Sequence, residues 1–141
     1  MWFLQGFLSL LGRLMLCAIF IMSAVAEKIP HFAETVALME SKNIPNAKIM
    51  LVGAILFSIA GSLMIILGYK VRIGALLLLV FLGLATYYFH DFWNDETTRD
   101  AQLLHFLKNL GLAGALVFLL ANGSGAWALD ARDSATDEDF L

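Results

Sequence analysis

Apolar residues fall into four long runs separated by short polar connections. Ile49 to Tyr69 holds 21 residues without a charge, and Asn109 to Leu129 holds another 21. Ile73 to Phe89 gives 17 before His90 interrupts. The stretch from Met1 to Ala26 is broken only by Arg13. A helix needs about 20 apolar residues to cross the hydrocarbon layer. The runs are solidly apolar, whereas a membrane β-barrel alternates apolar and polar with period two. The pattern predicts an all-α membrane protein of four transmembrane helices in an antiparallel bundle.

The connections differ. Lys70-Val71-Arg72 leaves room only for a tight hairpin between the second and third spans. The first connection, Glu27 to Lys48, carries His31, Phe32, Val36, Leu38 and Met39 and ends in the turn signal Asn43-Ile44-Pro45-Asn46. It predicts a short interfacial helix between the first and second spans, lying along the membrane. The third connection, Asp91 to Lys108, is polar, and the fourth helix is expected to start near Ala101. Asn122-Gly123-Ser124-Gly125 reads as a helix stop.

Composition agrees with the pattern. Of 141 residues, 60% are apolar and 15% charged, which a small water-soluble globule cannot bury. An ordinary soluble enzyme is excluded. Net charge is −3, which gives a nucleic-acid partner no electrostatic footprint. The one cysteine, Cys17, rules out internal dithiol exchange. Ala24-Val25-Ala26 resembles a cleavage site, but no basic residue precedes the apolar run, so the first span is expected to be retained. Residues 1–129 form the expected membrane domain. The segment 130–141 holds five acids and one arginine and is expected to be a disordered cytoplasmic tail. The dense Lys70/Arg72 turn places both termini on the cytoplasmic side.

Ionisable groups at membrane depth need a reason. Connectivity sorts them into two layers. Arg13 and Asp130 fall at one end and are expected to form a structural ion pair. Lys28, His90, Lys108 and Asn109 fall at the other. There an aromatic run, Tyr87 to Trp93, reads either as a belt at headgroup level or as part of a pocket. With Phe32, Phe92 and Trp93 as a lid, Lys28, His90, Lys108 and Asn109 form a candidate ligand pocket for a quinone headgroup or a small oxyanion. His31, His90 and His105 lack metal-ligand spacing, so no metal is expected. No Gly-x-Ser-x-Gly elbow is present. Ala54, Ser58 and Ser62, and likewise Gly111 and Ala115, are spaced for close helix packing, within the chain or between protomers.

The order of these features is specific. Arg13 opens the first helix, and Lys28 and Phe32 come after it. A Gly68-Tyr69-Lys70-Val71-Arg72 turn comes next. Then come Ala85-Thr86, Phe89-His90-Asp91-Phe92-Trp93, Phe106-Leu107-Lys108-Asn109-Leu110, and a Gly-x-x-x-Leu-Asp ending at Leu129-Asp130. Over about residues 7–130 the chain resembles the DoxX family. That resemblance implies a four-helix bundle of the bacterial inner membrane. It directs attention to Arg13, Lys28, His90, Lys108 and Asn109. Relatives include the membrane subunit of a thiosulfate:quinone oxidoreductase, and others are proposed to join redox or oxidative-stress complexes. The implied role is an accessory membrane subunit with a possible redox-enzyme partner, a possible quinone cofactor and possible self-association. The chain alone is not expected to be an enzyme. The alternatives are a quinone-binding oxidoreductase subunit, or a non-catalytic bundle that binds or transports a lipid or small molecule. One departure bears on chemistry: Ser58 stands where family members commonly carry a glutamate, so a step using that carboxylate would be absent.

Overall fold

The computed structural model describes residues 1–90, 93 and 96–130. The described residues are helical, without strands. Helix α1 spans Trp2–Met22 and runs on through a π-helical turn, Ser23–Lys28. Helix α2 is Phe32–Ser41, α3 is Ala47–Leu67, α4 is Val71–Phe89 and α5 is Arg99–Asn122. Among the described residues, four helices are long and apolar enough to cross a membrane: Trp2–Lys28, Ala47–Leu67, Val71–Phe89 and Arg99–Asn122.

The turns obey the local chemistry. Asn43 and Asn46 both take left-handed backbone, with φ of 57° and 51°. Asparagine tolerates this region better than most residues. Between them Ile44 is buried and roofs a small cluster with Met39, Ala47 and Leu51, which fixes α2 against the start of α3. The α3–α4 hairpin turns at Gly68, φ 69°, where a side chain would also overlap Ala128 and the Arg13 guanidinium.

In lipid, helices gain little from hiding apolar surface from one another, so close contact must hold them. The α3–α4 pair has that contact. A Cβ placed on Gly61 would lie 2.9 Å from the Gly74 carbonyl oxygen, and one on Gly74 would lie 2.8 Å from that of Gly61. The backbones meet where neither helix has a side chain. Ser58 and Ser62 face inward on the same helix and are fully buried. Gly111, in contrast, has open space around it. Of the two small-residue stripes, that of α3 is packed within the chain and Gly111 of α5 faces outward. The main core gathers Cys17 and Phe20 of α1, Ile65 of α3, Leu78 and Leu82 of α4, and Leu116 of α5. Leu56, Leu76, Leu110 and Phe118 are among many large apolar side chains left exposed, as suits a lipid-facing surface.

The fourth helix ends at the stop read in Asn122-Gly123-Ser124-Gly125, short of the end of the apolar run. The start near Ala101 is met by Arg99, but the apolar run to Leu129 is not helical to its end. The helix stops at Asn122, and Gly123 takes φ 77° and ψ −161°, which suits only glycine. Residues 123–130 then turn back across the N-terminal half of α1. Trp127 lies over Gly6, where a Cβ would meet its ring at 2.5 Å, and packs edge-on against Phe3 at 4.9 Å between centroids. This strap is anchored by Arg13. The proposed tail beyond Asp130, residues 131–141, lies outside the described residues, as do Asp91 and Phe92.

Candidate functional site

Two ends of the bundle hold polar groups. At the first, Arg13 is 2% exposed, a cation within the spanning part of α1. Its Nη2 donates to the carbonyls of Trp127, at 2.8 Å, and Ala126, at 3.4 Å. Its Nε donates to the Ser9 carbonyl at 3.3 Å. The Ser9 hydroxyl donates to the Ser124 carbonyl at 3.0 Å. Irregular backbone at membrane depth must have its polar groups satisfied by protein, and Arg13 does that for the strap. Asp130 ends the strap. Its carboxylate accepts from the backbone amides of Lys70 and Val71, and its own amide donates to the Gly68 carbonyl at 2.8 Å. Arg13 and Asp130 therefore act on the same strap from its two sides.

The other end encloses a cavity of about 710 Å³ among α1, α2, α3, α4 and α5. Four of the residues singled out from sequence line it: Lys28, His90, Lys108 and Asn109. They are brought from three helices, in the layer that connectivity assigned them. Two others are not among its walls. Phe32 opens α2 and packs against the Met39/Ile44 cluster. Trp93 sits in the connection before α5, 52% exposed.

The π-turn sets Lys28. A π-turn holds an extra residue per turn, so the residues after it are rotated by about 100° relative to an unbroken α-helix. The bond from Ile29 N–H to the Ala24 carbonyl, at 3.0 Å, carries that five-residue step. The same step puts Lys28 beside Ser23. Its Nζ donates to the Ser23 carbonyl at 3.5 Å and to the Ser23 hydroxyl. It also stands 5.2 Å from the centroid of the Phe81 ring. The Ser23 hydroxyl in turn donates to Glu27 Oε2 at 3.3 Å.

His90 ends α4, its N–H bonded to the Thr86 carbonyl at 3.1 Å. Its Nδ1 lies 2.9 Å from Gln102 Oε1, so with oxygen at that position Nδ1 carries the proton and donates. Its ring stacks on His105, 4.9 Å between centroids and 20° between planes. Asn109 is 6% exposed and donates to the Thr86 hydroxyl at 2.9 Å, which donates onward to the Leu82 carbonyl at 2.7 Å. That chain ties α5 to α4 at the cavity floor. Lys108 is exposed at its rim.

Sequence reasoning missed Ser23, Gln102 and His105. For the last two a signal was present. Gln102, His105, Lys108 and Asn109 recur at three- and four-residue steps, one face of a helix that begins before the apolar run. Nothing in the sequence announces the π-turn. Chemically the cavity offers apolar walls, two ammonium groups, a carboxylate, an amide and two imidazoles. That is the make-up of a binding site for an amphipathic molecule.

The DoxX family profile matches residues 8–91. The chain is 32% identical over 129 residues to the inner membrane protein YphA of Escherichia coli (strain K12), covering 89% of each. It is 31% identical over 121 residues to the inner membrane protein YqjF of the same organism, covering 86% of this chain and 88% of that one. It is 25% identical over 80 residues to a surfeit locus protein 4 homolog of Schizosaccharomyces pombe (strain 972 / ATCC 24843), covering 55% of this chain and 26% of that one. No solved structure matches the chain significantly.

Proposed function

The chain belongs to the DoxX family of multi-pass membrane proteins, and from that premise we propose that it is an accessory subunit of the inner membrane, associated with quinone-linked redox or oxidative-stress metabolism. In this reading the cavity at the Lys28 end receives a quinone headgroup, and the isoprenoid chain lies along its apolar walls. The observation that carries it is the convergence of Lys28, His90, Lys108 and Asn109 on one cavity inside an otherwise apolar bundle. Asn109 supplies an N–H to a carbonyl oxygen, the free nitrogen of neutral His90 accepts from a quinol hydroxyl, and the lysines supply positive potential. With one cysteine the chain has no internal dithiol, and with Ser58 in α3 it lacks a carboxylate at that position. Electrons would pass between the quinone and a partner redox enzyme.

The same reading places α2 along the membrane interface, both termini on the cytoplasmic side, and Arg13 and Asp130 as charge partners within the strap. The test is mass spectrometry of organic extracts from purified protein, beside a Lys108→Ala/His90→Ala double variant. A stoichiometric quinone in the parent, lost from the folded variant, supports the reading. Equal quinone in both, or none in either, removes it.

A further inference from the structure

The most telling group in the cavity is Lys28. An ammonium has three N–H donors. Two of the Lys28 donors go to Ser23, and among the described residues no acceptor takes the third. No carboxylate among those residues stands within ion-pair distance of it. Glu27 attracts it from beyond ion-pair distance and is hydrogen-bonded to it only by way of the Ser23 hydroxyl. A cation set in an apolar bundle is costly unless compensated. Here the π-turn sets the half-buried Lys28 among the cavity walls. Without the π-turn, Lys28 would lie about 100° further round α1.

The charge balance points the same way. Among the charged side chains that line the cavity, two lysines face one carboxylate, which leaves a net charge of +1 with both histidines neutral. Phe57, Leu82 and Leu112 line the cavity beyond the polar end and would hold hydrocarbon.

We propose that Lys28 is the anion-recognition group of this cavity, and that the cavity takes a singly charged acidic headgroup, phosphate or carboxylate, borne on a hydrocarbon chain from the bilayer. The third N–H of Lys28 meets a headgroup oxygen, Lys108 closes over it from the rim, and the chain runs along the apolar wall. The inference rests on the cavity being a ligand site. It does not require that the ligand be a quinone.

The full chain in detergent is titrated with phosphatidylglycerol, with phosphatidylcholine of the same acyl chains, and with inorganic phosphate, and bound species are read by native mass spectrometry. A charged hydrogen bond in a site of this kind corresponds to about tenfold or more in affinity. Phosphatidylglycerol is expected to bind at least about tenfold tighter than phosphatidylcholine. Lys28→Met is expected to abolish that preference, and Lys28→Arg to keep it. Lys48→Met, which removes an equal charge from an exposed position outside the cavity, is expected to leave it unchanged. Should Lys28→Met not fold, Ser23→Ala removes the hydroxyl, one of the two acceptors that position the lysine, and is expected to reduce the preference several-fold.

Equal binding of the two lipids overturns the inference, as does a preference that survives Lys28→Met or disappears equally in Lys48→Met. Binding of inorganic phosphate alone, sensitive to Lys28, overturns the lipid source in favour of a soluble anion. An Ala85→Phe variant, filling the cavity, separates this from the broader reading. If it blocks a short-chain ubiquinone analogue while the lipids show no preference, the cavity stands and the anion falls. If it changes the binding of no amphiphile, both fall.

Discussion

Asp130 caps the α4 helix across sixty residues of chain: its carboxylate accepts from the backbone N–H of Lys70 at 2.8 Å. A second oxygen accepts from Val71 at 3.2 Å. A helix start leaves its first amides without partners, and a side-chain carboxylate is the usual remedy. Here the remedy comes from the far end of the fold. Lys70 itself is held with φ 46°, a left-handed conformation costly for a side-chain residue.

Asp130→Ala is therefore expected to lower stability by about 1–2 kcal/mol, as loss of a cap does. Asp130→Asn keeps one acceptor oxygen and is expected to lose less. Reversible unfolding in mixed micelles measures both. No difference between the parent and Asp130→Ala would mean that the cap is idle.

Arg13 supplies the strap with its hydrogen-bond donors, so Arg13→Leu leaves the Trp127 and Ala126 carbonyls wanting. Each buried group left unpaired costs about 1–3 kcal/mol. The strap is expected to lift, and Trp127 to leave its contact with Phe3. In a background with Trp2 and Trp93 replaced by Phe, Trp127 emission reads this directly. The emission is expected to shift in Arg13→Leu. An unchanged spectrum would show that the strap is held without the arginine.

The Gly61/Gly74 crossing predicts a contrast between glycines. Gly61→Ala and Gly74→Ala each force a methyl into a facing carbonyl at under 3.0 Å. Overpacking of this kind costs about 1–3 kcal/mol. Gly83 has open space around it, so Gly83→Ala is expected to be neutral or slightly stabilising. Thermal melting in detergent separates the two classes.

The Asn109–Thr86 hydrogen bond joins α5 to α4 inside the bundle. Bonds between membrane helices average about 0.6 kcal/mol, with an upper range near 1.7. A double-mutant cycle of Asn109→Leu and Thr86→Val is expected to return a coupling in that range. A coupling of zero would leave Asn109 with a cavity role alone.

Much of the fold was legible because lipid imposes one dominant rule. A run of about 20 apolar residues must be a helix, so three connections and four spans could be read from Ile49–Tyr69, Ile73–Phe89 and their neighbours. The layer holding Lys28, His90, Lys108 and Asn109 came from connectivity, since alternate helices must end on the same side. Two features were not legible. The stop at Asn122-Gly123-Ser124-Gly125 was legible, but apolarity alone does not show that the residues after it fold back as a strap. The π-turn is a change of hydrogen-bond register, and Ser23-Ala24-Val25-Ala26-Glu27-Lys28 has no residue that demands it. Of the lid expected over the pocket, Phe32 packs against Met39 and Ile44, which themselves line the cavity, and Phe92 lies outside the described residues.

The strap has a consequence for how the protein is made. Arg13 is synthesised and inserted with the first helix, while its acceptor on Trp127 lies 114 residues later. During that interval the arginine stands in the membrane without its final partners. A chain released before the strap is translated keeps that cation without its Trp127 and Ala126 acceptors. Such a product lacks the segment that closes the fold, so the clasp forms only after translation has passed beyond the fourth helix.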